Sequence, residues 1–159
     1  MAKIDVSGIV WLSYKKLAKY VAEETVKLMN QPIQIEVAIE FVSENEIQRL
    51  NREIRNIDKV TDVLSFPATE IKSGEILDID NQENAYLMTD DGFIHFGDMA
   101  ICLKQTKRQA KEYGVSVKAE IKKLVIHSML HLMGYDHIED KDYEIMNKKE
   151  IELDKLIKI

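Results

Sequence analysis

Three of the chain's four histidines, His127, His131 and His137, fall within a single run of eleven residues. His127 and His131 are four positions apart, which on an α-helix puts both imidazoles on one face, a turn apart, where they can share a metal ion. Gly134 follows three residues later. Without a Cβ it can take the left-handed conformation that ends a helix, so the chain can reverse and return His137 to the same ion. Three neutral imidazoles with a fourth position open are the ligand set of a catalytic zinc site, not of a closed structural one. Imidazole also suits nickel, copper and iron.

The pattern His-x3-His-x2-Gly-x2-His is the spacing of the metzincin zinc proteases, in which a glutamate follows the first histidine and acts as the base. Here that position is Ser128, which cannot take up a proton near neutral pH. The metal cradle is present and the protease's base is absent. Asp98 or Asp62 could orient a water in its place, although Asp98 also reads as a turn residue after Gly97 and Asp62 as a cap at a strand start. Asp136 could hold the second ring nitrogen of a histidine. His95 lies outside the motif and reads as a strand histidine.

Those side chains need elements to hold them. Residues 9–29 show helical spacing, with Leu12, Val21 and Leu28 inward and Asn30 and Pro32 closing the helix. Residues 33–41 alternate as a half-buried strand. Ser43 and Glu46 form a capping box for a second helix through Asn56. Thr61 to Pro67 reads as a short strand ended by proline. Gly92 to Cys102 returns to strand, and a helix over 103–113 stops at Gly114. Ser116 caps a helix over 117–133 whose apolar arc (Ile121, Leu124, Val125, Met129, Leu130, Leu132) places it centrally, carrying His127 and His131. A last helix begins near Asp140, with Tyr143, Met146, Ile151, Leu153 and Leu156 as packing candidates. The fold class is therefore α+β: a small mixed, mostly parallel sheet of about four strands packed with about five helices, with the metal motif on the central helix. At 159 residues, with no repeat or linker, residues 1–159 are expected to form a single domain.

Residues 68–92 are polar and acidic with little periodicity, and part of that loop is expected to form a hairpin or to be mobile. Eight acids and one base lie between 68 and 98, whereas residues 104–123 carry seven bases and two acids. The basic stretch is either a face that holds a polyanion's backbone or the solvated side of two helices. Net charge is −6, which argues against non-specific nucleic-acid binding. No apolar run is long enough to span a membrane. With no signal-peptide core and one cysteine, Cys102, read as packing, the expected location is cytoplasmic.

The run His127-Ser128-Met129-Leu130-His131-Leu132-Met133-Gly134-Tyr135-Asp136-His137 resembles the signature of the YbeY family, His-Gly-x-Leu-His-Leu-x-Gly-Tyr-Asp-His, with Ser128 for glycine. A second block matches at Asn51, Arg55, Asp58 and Thr61 to Pro67, with Ile54 where the family has tyrosine. A third matches at Gly97-Asp98-Met99-Ala100-Ile101. The three blocks span residues 51 to 137, and the loop at 68–92 is longer than in many members. The resemblance implies a zinc-dependent, single-strand-specific endoribonuclease acting in 16S rRNA maturation and ribosome quality control. It implies one Zn²⁺ on His127, His131 and His137 and a functional arginine at Arg55. The implied partners are ribosomal RNA, a small-subunit ribosomal protein and a ribosome-associated GTPase. Zinc would lower the pKa of a bound water to roughly 7, and the planar fork of Arg55 could hold two phosphate oxygens. The plainer reading of Arg55 is a surface ion pair with Asp58 or Glu53. A metalloprotease using the same cradle, or a non-catalytic assembly factor stapled by zinc, are the rival readings.

Overall fold

The computed structural model describes all 159 residues. Its sheet contains β1 (Lys3–Gly8), β2 (Ile35–Val42), β3 (Val63–Pro67) and β4 (Ile94–Cys102) in the spatial order β1-β2-β4-β3. β1 and β4 flank β2 in parallel, and β3 pairs with β4 antiparallel, so the sheet is mixed and mostly parallel. Five α-helices surround it: α1 (Leu12–Leu28), α2 (Glu44–Arg55), α3 (Leu103–Tyr113), α4 (Val117–Leu132) and α5 (Asp140–Leu156). No helix is long and apolar enough to cross a membrane.

Alternation along β2 buries Ile35, Val37, Ile39 and Phe41 on one side. They meet Val21 and Ala22 of α1, Ile121, Val125, Met129 and Leu132 of α4, and Met146 and Leu153 of α5 in one apolar cluster. Ile101 of β4 joins that cluster while its neighbour Cys102 faces the other side, where α2 supplies Ile47 over Leu64. α4 is buried over ten of its positions, as its wide apolar arc requires. It can approach the sheet because Gly97 has no Cβ. One built there would lie 2.7 Å from the Leu132 side chain and 2.6 Å from the Phe66 carbonyl, on a backbone with φ of +153°.

Several expectations are corrected. Strand β1 lies where none was read, and the first helix begins at Leu12 rather than residue 9. Leu12 is exposed, as are Tyr143, Ile151 and Leu156 of the last helix. Residues 68–92 are anchored rather than free, and their end closes, as expected for part of the loop, a short hairpin turn onto β4, with Thr89 N–H donating to the Phe93 carbonyl at 2.7 Å. A 3-10 helix runs from Gln82 to Leu87, and a single antiparallel bridge joins Met88 to Ile94. Leu77 is buried in the main core, and Gln31 pins the segment by donating to the Glu75 carbonyl (2.9 Å) and accepting from Leu77 N–H (3.0 Å). Asp98 lies within β4 rather than in a turn. Cys102 is buried, as expected.

Candidate metal centre

α4 starts at Ser116, whose hydroxyl accepts from Ala119 N–H at 3.0 Å. It ends in a Schellman turn: Tyr135 N–H donates to the Leu130 carbonyl and Gly134 N–H to that of His131, both at 3.0 Å, with Gly134 at φ +86°. The turn sends the chain back so that His137 faces the two helical histidines. Side chains of the three offer one nitrogen each, all within 4.8 Å of one another.

Gly134 is required for a second reason. A Cβ there would overlap the Ile71 carbonyl oxygen, because the start of the acidic loop lies directly over the turn. Gly134→Ala therefore combines left-handed strain with a backbone clash. A loss of about 2–4 kcal/mol is expected, or roughly 5–15 °C in melting temperature by thermal unfolding; a shift below a degree would mean the loop does not clamp this turn.

The ring nitrogens are arranged for a cation. His131 Nδ1 lies 2.9 Å from the Tyr135 carbonyl, which can only accept, so Nδ1 carries the proton. His127 Nδ1 is held in the same sense by the Glu150 carboxylate, on α5. Both Nε2 atoms are then left facing one another at 3.0 Å. Two lone pairs at that distance repel, and either a proton or a shared cation must lie between them. Burial, followed by the neighbouring His127, lowers the His131 pKa to about 4, so this ring resists protonation at neutral pH. Relative to an unfolded value near 6.5, its contribution to stability is fully present above about 6.5 and is lost as pH falls toward 4. His137 brings a third nitrogen to the same place, which favours a cation over a proton. Two nitrogens on one zinc ion, each about 2.0–2.1 Å from it, would be roughly 3.3 Å apart. The helical pair is close to that spacing at 3.0 Å, and a rotation of the exposed His137 would bring its nitrogen to the same ion. The donor set therefore fits a divalent ion, and these three residues would hold it.

Glu150 was not legible in the sequence, and it occupies the role considered for Asp136. Asp136 instead accepts from the His137 backbone N–H at 2.7 Å. Carboxylate partners of this kind fix ring orientation and raise ligand basicity, and their loss lowers metal affinity about 10- to 100-fold. Glu150→Ala should show that drop in a chelator-dye competition, while Glu150→Gln, whose amide oxygen still accepts, should recover most of it. Equal affinity in wild type and Glu150→Ala would remove Glu150 from the site.

The trio opens into a cleft of about 560 Å³. Its lining includes Arg55, the last residue of α2, and the strand residues Val63 to Pro67. Asn56 ends α2 in the left-handed region (φ +59°), leaving the guanidinium at the helix's negative end, where a cation is favoured. The carboxylates that could have engaged Arg55 are taken: Arg49 holds Glu53 at 2.7 Å and Arg52 holds Asp58 at 3.3 Å. Arg55 makes no ion pair.

Ser128 is buried, and its hydroxyl lies 2.9 Å from that of Ser65, joining α4 to β3. It faces the sheet, not the three imidazoles. Asp62 reaches the cleft, but its oxygens accept from Thr61 Oγ1, Val63 N–H and Gln109 Nε2, so it fixes the start of β3. His95 pairs with Asp98 at 2.9 Å and stands outside the trio. Of the seven bases at 104–123, Lys104 and Arg108 are paired with Glu44 and Lys122 with Asp154, while Lys123 lines the cleft.

The family model described as Endoribonuclease YbeY matches residues 5–158. A protein of that name from Clostridium acetobutylicum is 42% identical over 137 residues, covering 84% of this chain and 81% of its own. One from Caldicellulosiruptor bescii is 40% identical over 126 residues, covering 79% and 75%. Among solved structures, a Thermotoga maritima protein studied in solution superposes with a TM-score of 0.60 at 29% identity, over 98% of this chain and 87% of that one.

Proposed function

Because this chain belongs to the YbeY family of endoribonucleases, we propose that it cuts single-stranded RNA by metal-assisted hydrolysis in the cleft that joins Arg55 to the three histidines. The carrying observation is that shared cleft, with an unpaired guanidinium and three converging imidazoles in one lining. Held by His127, His131 and His137, a divalent cation, zinc by the ligand chemistry, would supply Lewis acidity and an activated water to a phosphodiester. Glu150 and the Tyr135 carbonyl hold the protons on the Nδ1 atoms of His127 and His131, which keeps both Nε2 atoms available. Arg55 binds the non-bridging phosphate oxygens and offsets the charge they gain as the bond breaks. β3 forms the wall along which the strand lies. The cellular setting that suits this chemistry is cytoplasmic 16S rRNA maturation and ribosome quality control, with a small-subunit ribosomal protein and a ribosome-associated GTPase as partners.

A peptidase reading of the same cradle lacks its base, since Ser128 is buried against Ser65. The two are separated by incubating the purified, metal-loaded protein with single-stranded RNA and with casein, each with and without chelator. Chelator-sensitive cleavage of RNA alone is expected. Cleavage of casein with RNA left intact would overturn the reading.

A further inference from the structure

One carboxylate in the cleft has no assigned work. Glu120 lies seven residues before His127 on α4, about 10 Å along the axis. It is only 2% exposed, lines the cleft, and its Oε1 has no hydrogen-bond partner. Leaving such an oxygen unpaired is costly, so the fold holds it there at a loss of stability. Desolvation, opposed by Lys123 and aided by Asp62, pushes its pKa above the ordinary carboxylate range. Beside it, at the corner where α3 meets α4, stands Tyr113, 57% exposed, with the Lys123 ammonium 5.1 Å from its ring centre. Tyr113, Glu120 and Lys123 line both the cleft and a second groove of about 380 Å³ that continues from it. A single strand crossing the metal centre would leave over this corner.

We propose that Tyr113, Lys123 and Glu120 form a subsite for one unpaired nucleotide flanking the cleaved phosphate, with a preference for guanine; this rests on the RNA-cleaving reading above. Tyr113 offers an exposed aromatic face on which a base can stack. Lys123 is exposed, with its ammonium over the Tyr113 ring and its charge acting on Glu120; in the subsite it turns to the nucleotide's phosphate and leaves Glu120 to the base. A carboxylate presents two acceptors side by side. Guanine is the base whose pairing edge carries two adjacent N–H donors, N1–H and N2–H, whereas adenine sets one donor beside one acceptor, cytosine one donor beside two acceptors, and uracil one donor between two acceptors.

The test is steady-state cleavage, by the metal-loaded full chain, of a guanine-containing single-stranded oligonucleotide and of its inosine copy, which lacks the N2 amine. Wild type should favour guanine about tenfold in kcat/KM. Tyr113→Ala should raise KM about 5- to 100-fold with little change in kcat, a split expected of lost stacking and not of a damaged metal centre. Glu120→Gln should erase the guanine preference while metal content stays at the wild-type level. Wild type indifferent to inosine, together with an unchanged KM in Tyr113→Ala, overturns the subsite while RNA cleavage itself persists. If Glu120→Gln fails to fold, the inosine comparison and the exposed Tyr113 variant still decide. Absence of RNA cleavage by wild type would instead fail the reading on which the subsite rests.

Discussion

Arg55→Ala is expected to slow RNA cleavage about 10²- to 10³-fold and to leave bound metal unchanged, the range found when one preorganised donor to a developing oxyanion is removed. The metal content should hold because Arg55 comes from the end of α2, while every ligand and both ring-orienting groups come from α4, α5 and the turn between them. Stability should hold too, since the side chain is exposed and makes no ion pair. Arg55→Lys should recover only part of the rate, because an ammonium restores the charge without the two-pronged geometry. Single-turnover kinetics, run beside elemental analysis of the same samples, check both halves. Wild-type cleavage by Arg55→Ala would end its assignment.

His131→Ala should remove the bound metal, from one ion per chain to almost none, and cleavage with it, yet leave the fold standing. The main core is built from apolar residues of the sheet, α1, α4 and α5 and contains none of the three histidines. A metal that only stapled the turn at Gly134 would behave differently, because its binding energy would be folding energy. In chelator, wild type and variant should melt within a few degrees of one another; with metal added, only wild type should rise, as binding to the native state requires. Collapse of the variant in chelator, where wild type stays folded, would favour the stapling role.

Much of this site was legible in sequence because it is local. A four-residue spacing and a helix-ending glycine fix where two rings and a turn must lie, and helical geometry does the rest. Arg55 came from the resemblance, and its place in the cleft depends on α2 ending beside β3, which pairing with β4 determines. Glu150 carried no signal at all. It sits 13 residues past His137 on a helix rich in charge, and its role exists only because α5 packs across α4. Strand β1 was missed for a related reason. Its alternation of Ile4 and Val6 with polar residues is short, and its register is set by β2 more than thirty residues away. The apolar Ile9 and Leu12 drew the first helix toward the N-terminus, although both are solvent-exposed. Acidic residues at 68–92 hid a loop anchored by Gln31, since one long-range side-chain clamp leaves no periodicity to detect.

The rings of His127, His131 and His137 are placed so that they could share one divalent ion and leave it a side open to the cleft. That sharing is tested most directly by crystals of the purified protein, with anomalous diffraction recorded at the absorption edge of whichever metal it carries. One anomalous peak per chain is expected, lying among the three imidazoles, with Nδ1 of His127 still turned to Glu150. A peak bound elsewhere, or one held by fewer than three of these rings, would contradict it.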